Sequence, residues 1–154
     1  MDEAFIKKVQ PNSPEAEQSV IGAMIMDRDA IADVIDIVSA DDFYQKQNGI
    51  LFEAMTELYR EGKPVDLVTL QNKLKKKDVP ESMKSLEFIR DLLEAVPTSA
   101  NAKQYAKIVS EKATLRKLIK VTEDITTECY LGKDDGAEIL DHTEKNVFGL
   151  LQQA

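Results

Sequence analysis

The sequence predicts an all-α protein, a globular helical bundle over residues 1–100 followed by a long helical hairpin over residues 101–154. Three observations carry that reading. Apolar side chains recur at i, i+3, i+4 and i+7 in segment after segment, which gathers them on one face of a helix. No run alternates apolar and polar residues as a half-buried strand would. The stretch from Asn101 to Tyr130 contains neither Gly nor Pro. With 154 residues, 43% apolar and 31% charged, the chain is long enough to bury a core. An aromatic share of 6% without Trp favours aliphatic helix packing.

Ser13, Pro14 and Glu15 read as N-cap, first helical residue and acidic first turn of a helix carrying Val20, Ile21, Met24 and Ile25. Ile31, Val34, Ile35 and Val38 form the stripe of a short second helix. Ser39 and Asp42 have the spacing of a capping box, with Asp in place of Glu, ahead of Phe43 and Tyr44. Leu51, Ala54, Met55, Leu58 and Tyr59 mark the next helix, ended by Gly62 as a left-handed cap with Pro64 behind it. Asp66 caps a helix holding Leu67, Leu70 and Leu74; Lys75, Lys76 and Lys77 at its end read as a solvated run that suits the helix dipole. After Pro80, residues Leu86, Ile89, Leu92, Leu93 and Val96 give another helix, stopped by Pro97.

The Gly- and Pro-free stretch would be about 45 Å long as one helix. At about 100° per residue, Ala102, Tyr105, Ala106, Val109 and Ala113 fall on one side, and Ile108, Leu115, Leu118, Ile119, Ile125 and Cys129 on the other. Its buried face therefore changes partway along. The first half is expected to lie against the bundle through small residues, and the second to need a different partner. Gly132 ends this helix, and Asp134 or Asp135 opens a last one, to about Leu151, with Ile139, Leu140, Val147, Leu150 and Leu151. With Ala137 and Phe148 counted, apolar side chains cover about half its circumference, more than one neighbouring helix can cover. Two helices alone make too little core, so another chain is expected to bury the remainder.

The charges exclude function classes. A net charge of -8 repels phosphate backbones. It is uneven: residues 1–100 hold 12 Lys/Arg against 19 Asp/Glu, residues 101–154 hold 8 against 9, which marks two structural units. Lys103, Lys107, Lys112, Arg116, Lys117 and Lys120 scatter around their helix with no aromatic platform between them, so they read as solvated rather than as a nucleic-acid strip. Cys129, the single cysteine, makes an internal disulfide impossible and fits a reducing, cytoplasmic setting, where it reads as a small buried hydrophobe. Residues 1–10 resemble neither a signal peptide nor a membrane anchor. No phosphate-binding glycine loop is present, His142 has no second histidine or cysteine cluster to build a metal site, and Asp41, Asp42, Asp134 and Asp135 sit at helix starts where capping explains them. No catalytic residue and no metal ligand is assigned.

Five blocks then resemble the N-terminal part of the bacterial replicative DNA helicases of the DnaB family. They are the run from Ser13 to Gly22; Asp42-Phe43-Tyr44; the run from Gly62 to Thr69; Val96-Pro97-Thr98-Ser99-Ala100-Asn101; and Tyr105 to Val109 with Leu115-Arg116 beyond. The resemblance spans nearly the whole chain. It implies a helical head followed by a hairpin, hairpins packed into dimers, and three dimers forming the collar of a hexamer. It also implies a RecA-like ATPase motor beyond Ala154, so that ATP and Mg are expected only there, with no cofactor in this chain and no ATP hydrolysis or DNA unwinding by it. The implied partners are a second copy, the C-terminal domain of primase and a helicase loader, with no membrane and little direct nucleic-acid binding.

By position, the resemblance places primase contacts at Glu15, Phe88, Ile119 and Ile125. At Phe88 the sequence departs from the family, offering Lys84-Ser85 where a Gly-Gly pair is usual. Each also has a plainer reading: Glu15 complements its helix dipole, Phe88 is core, and Ile119 and Ile125 serve self-association. The hairpin residues expected to pair two copies are Leu115, Leu118, Ile139, Leu140, Val147, Leu150 and Leu151. The competing reading is a nucleic-acid-binding helical regulatory domain, which requires a basic face.

Overall fold

Ser13 starts the first helix as its sequence predicts. In the computed structural model of the chain, which describes residues 9–94 and 100–153, its hydroxyl accepts the N–H of Ala16 at 3.2 Å, ahead of α1 (Pro14–Met26). Asp27 ends α1 and caps α2 (Arg28–Ile35) by accepting the N–H of Asp29 at 2.9 Å. At the predicted capping box, the N–H of Ser39 donates to Asp42 at 2.9 Å, but the turn is a single 3-10 turn, Ala40–Asp42. The helix α3 (Lys46–Arg60) ends at Gly62, where φ is 71°; the N–H of Gly62 bonds to Tyr59 and that of Lys63 to Leu58 at 3.0 Å, a complete Schellman motif. A 3-10 turn, Glu81–Lys84, and α5 (Leu86–Glu94) follow α4 (Leu67–Lys75). Val96 and the Pro97 stop lie outside the described residues.

Helix α4 opens on a reciprocal box in which Asp66 Oδ1 accepts the N–H of Thr69 and Thr69 Oγ1 accepts the N–H of Asp66, each at 2.9 Å. Asp66→Ala is expected to destabilise the head by about 1 kcal/mol, the usual worth of an exposed N-cap, read as a fall in its urea midpoint. An unchanged midpoint would show that solvent satisfies those N–H groups equally well.

The final helices are α6 (Ala102–Leu131), one continuous helix of 30 residues, and α7 (Gly136–Gln153). Gly132, at φ 62°, separates them, and Asp135 caps α7 by accepting the N–H of Glu138 at 2.9 Å. Seven α-helices and no strand occur among the described residues.

The chain forms two compact units. Among the described residues, one lies between Asn12 and Glu111; the other takes those from Lys112 onward together with residues 9–11. The division thus falls inside α6, eleven residues past residue 100. The cause is the face of small residues: Ala102, Ala106 and Val109 join the head's core alongside Val20, Ile21, Met24, Ile31, Leu51, Met55, Leu70, Leu74 and Ile89. Gly49 lets the start of α3 approach the 3-10 turn, because a Cβ there would stand 2.7 Å from the carbonyl oxygen of Ala40.

Two expectations need correction. Cys129 is exposed rather than buried, because little packs around that part of α6. The lysine run is only partly solvated: Lys77 bonds to Glu57 at 3.0 Å, beside Lys73, which reaches Glu57 at 3.2 Å and Glu61 at 2.9 Å. Glu57 stays below its usual range although burial opposes this, because Lys77 and Lys73 donate to it. Lys63 and then Lys73 hold Glu61 down to about 2. A carboxyl depressed in the folded state adds stability above its unfolded value of 4.5 and loses that contribution as the pH falls through about 2. The urea midpoint of Glu61→Gln is therefore expected to lie below that of the unaltered chain at pH 7, the gap closing between pH 4.5 and 2. A gap independent of pH would place the effect outside this ion network.

Candidate protein-interaction surface

The hairpin unit buries little of its own apolar surface. Beyond Glu111 only Ala113, 3% exposed, and Ile139, 9% exposed, are buried hydrophobic residues among those described. Leu115, Leu118, Tyr130 and Leu131 on α6 and Leu140, Val147, Phe148 and Leu151 on α7 are exposed, Leu140 at 71% and Leu151 at 67%. On α7 the side chains of Leu140, Val147 and Leu151 lie within about 40° of one another around the axis at 100° per residue. Ile139 and Leu150 lie about a quarter turn away and are buried and half-buried, respectively. The helix therefore buries one edge of its apolar arc and leaves the other open.

Part of the polar framework of this unit is local. Lys120 pairs with Asp124 and Lys145 with Asp141, each at 3.1 Å and one turn apart. Thr122, Thr126 and Thr143 donate to carbonyls of their own helices. His142 Nδ1 stands 4.0 Å from Glu128 Oε2 between α7 and α6. Arg116 donates to the carbonyl of Pro11 at 2.7 Å.

The four residues placed by resemblance divide between the units. Glu15 is exposed in the first turn of α1, and Phe88 is half-buried against the head core. The N–H of Phe88 donates to Ser85 Oγ at 3.2 Å, so Ser85 caps α5. Ile119 and Ile125 are half-buried on α6 within the hairpin unit. Of the seven pairing candidates, Leu115, Leu118, Leu140, Val147 and Leu151 are exposed, Leu150 is half-buried, and Ile139 is buried inside its own unit.

Two head residues escaped the sequence reading. Glu17, buried on α1, accepts the N–H groups of Tyr44 at 2.8 Å and Gln45 at 3.1 Å and the Asn48 amide at 3.1 Å, capping α3 from another helix. Its signal was a carboxylate sharing a helix face with Ile21 and Met24, four and seven residues on. Arg28 lies over the Tyr59 ring at 4.8 Å and donates to the carbonyl of Lys63 at 2.7 Å, closing the C-terminal end of α3. Its signal was weaker, since the partner is 35 residues away. Among the described residues no group of three His, Cys, Asp or Glu side chains could hold a metal ion, and no helix is long and apolar enough to cross a membrane.

A cored helical head followed by a helical hairpin defines a class, the all-α proteins. Within that class the chain belongs to the family of DnaB-like helicase N terminal domains, whose model matches residues 9–111. The replicative DNA helicase DnaB of Geobacillus stearothermophilus is 35% identical over 153 residues, 99% of this chain and 34% of the relative. The N-terminal domain of DnaB helicase from Mycobacterium tuberculosis superposes with a TM-score of 0.86 at 34% identity, covering 92% of this chain and 99% of that one. The corresponding domain from Helicobacter pylori, whose structure is described with its interactions with primase, shares the fold at a TM-score of 0.65 and 23% identity, covering 84% and 99% of the two chains. This chain spans about a third of the length of the curated relatives it matches.

Proposed function

We propose that the chain acts as the collar domain of a replicative DNA helicase, a non-catalytic module that pairs protomers through the hairpin and docks the C-terminal domain of primase. The open apolar arc of α7, from Leu140 to Leu151, carries this reading, because a soluble hairpin with so little core needs a partner to cover it. In the full assembly three such pairs make the hexamer's collar, and a loader meets the ring there or on the motor. Nucleotide and Mg belong to the portion of the relatives that this chain does not span, and the setting is the bacterial cytoplasm. Primase docking is supported by the shared fold with a domain whose structure is described with its interactions with primase. It uses Glu15 and Phe88 of the head and Ile119 and Ile125 of α6.

Light scattering of the chain over a concentration series, followed by titration with the cognate primase's C-terminal domain, tests both parts. A dimer or larger species that binds the primase domain is expected. Ile119→Asp or Ile125→Asp is expected to abolish pairing or primase binding with the helical circular dichroism signal intact. A strict monomer at high concentration overturns the pairing, and loss of helicity in both variants makes the two isoleucines core instead.

A further inference from the structure

Apart from the hairpin, the head carries a cavity of about 320 Å³ between the end of α2, the residues just after it and one face of α3. This is the lower end of the size that holds small ligands and single peptide segments. Ile35, Val38 and Phe52 supply its apolar wall. Thr56, also on the wall, is buried, and its hydroxyl has no hydrogen-bond partner among the described residues, an arrangement that a bound amide would relieve once the side chain turns.

The charges at the rim give the cavity a direction. Glu53 and Arg60 are seven residues apart on α3, hence about 10.5 Å apart along its axis and on nearly the same line. Both line the cavity, both are exposed, and neither has an ion pair among the described residues. Glu57 between them is already held by Lys73 and Lys77. The site therefore offers one free anion, an apolar floor and one free cation in line.

We propose that this cavity docks a short extended segment of a partner protein that carries an apolar side chain flanked by a basic and an acidic residue three positions apart. Three extended residues span about 10 Å, which matches the separation of Glu53 and Arg60. The apolar side chain enters against Ile35, Val38 and Phe52 while the flanking charges meet Glu53 and Arg60. This surface is separate from the pairing face of the hairpin, and its occupant is set by charge order rather than by apolar area.

The test is a methyl-detected NMR titration of the 154-residue chain with blocked tetrapeptides, Lys-Leu-Ala-Glu against Lys-Leu-Ala-Lys, Glu-Leu-Ala-Glu and Lys-Ser-Ala-Glu. Saturable shifts of the Ile35 and Val38 methyls are expected with the first, about fivefold weaker binding with the two like-charged peptides, and none with the Ser peptide. Arg60→Glu is expected to move the preference to Lys-Leu-Ala-Lys, and Glu53→Lys to Glu-Leu-Ala-Glu. If either reversal lowers helicity, Arg60→Gln and Glu53→Gln are expected to erase the discrimination at the corresponding end. Absence of saturable shifts at millimolar peptide, equal binding of all four peptides, or the same methyl shifts on concentrating the protein alone would each overturn the proposal, the last by making a second copy the occupant.

Discussion

Glu17→Ala is expected to destabilise the head by on the order of 3 kcal/mol and to lower its Tm by about 10–20 °C. The carboxylate is 2% exposed and accepts three hydrogen bonds, two from the backbone immediately before α3 and one from the buried Asn48. Gln45, the residue at the N-cap position of α3, makes no side-chain cap of its own, so Glu17 is what holds that helix start. Removing the acceptor takes from the Tyr44, Gln45 and Asn48 donors a shared buried partner, and it takes a negative charge away from a helix N-terminus. Glu17→Gln keeps one acceptor oxygen but sets an amide N–H₂ against the remaining donors, so most of the loss is expected to persist. Thermal unfolding followed by circular dichroism measures both. A Tm within about 2 °C of the unaltered chain for Glu17→Ala would show that water replaces the carboxylate and that Glu17 is only a packing residue.

Glu17 also marks the limit of what the sequence discloses. Signals read over three or four residues were legible: the Ser13 cap, the Asp66 cap and the Gly62 stop each form where the spacing predicts. The apolar stripes located the head core for the same reason. Glu17, Arg28 and Gly49 were not legible, because each meets a neighbour brought close only by the packed fold, at Tyr44, Lys63 and Ala40 respectively. The long helix falls between these cases. Its change of face was visible in the periodicity, with Ala102, Ala106 and Val109 expected against the bundle and found in its core, but the point inside the helix where the two units divide was not. The blocks that carry the family resemblance prove largely to be caps and core positions: Ser13 and Glu17, Asp42 and Phe43, Gly62, Asp66 and Thr69. The resemblance thus identifies a fold more directly than a binding site, whereas the proposed pairing surface rests on the exposure of Leu140, Val147 and Leu151.

That surface gives the second large effect. Leu140→Asp is expected to weaken pairing of the chain by about 10²–10⁴-fold while leaving its helical circular dichroism signal unchanged. A pair related by a two-fold axis contains every substitution twice, so the loss of about 1.5–3 kcal/mol for one buried leucine is doubled. The aspartate introduced in each copy must also lose water on association, which pushes the effect toward the upper end. Folding is spared because Leu140 is 71% exposed within its own unit. Ile139→Asp supplies the contrast: at 9% exposure that side chain is part of the little core the hairpin has, and its replacement is expected to lower helicity before it affects pairing. Sedimentation equilibrium with circular dichroism on both variants separates the two roles of adjacent residues. If Leu140→Asp still pairs as tightly as the unaltered chain, the open arc of α7 is not the pairing face, and the exposed leucines of α6, Leu115 and Leu118, take its place as the next surface to alter.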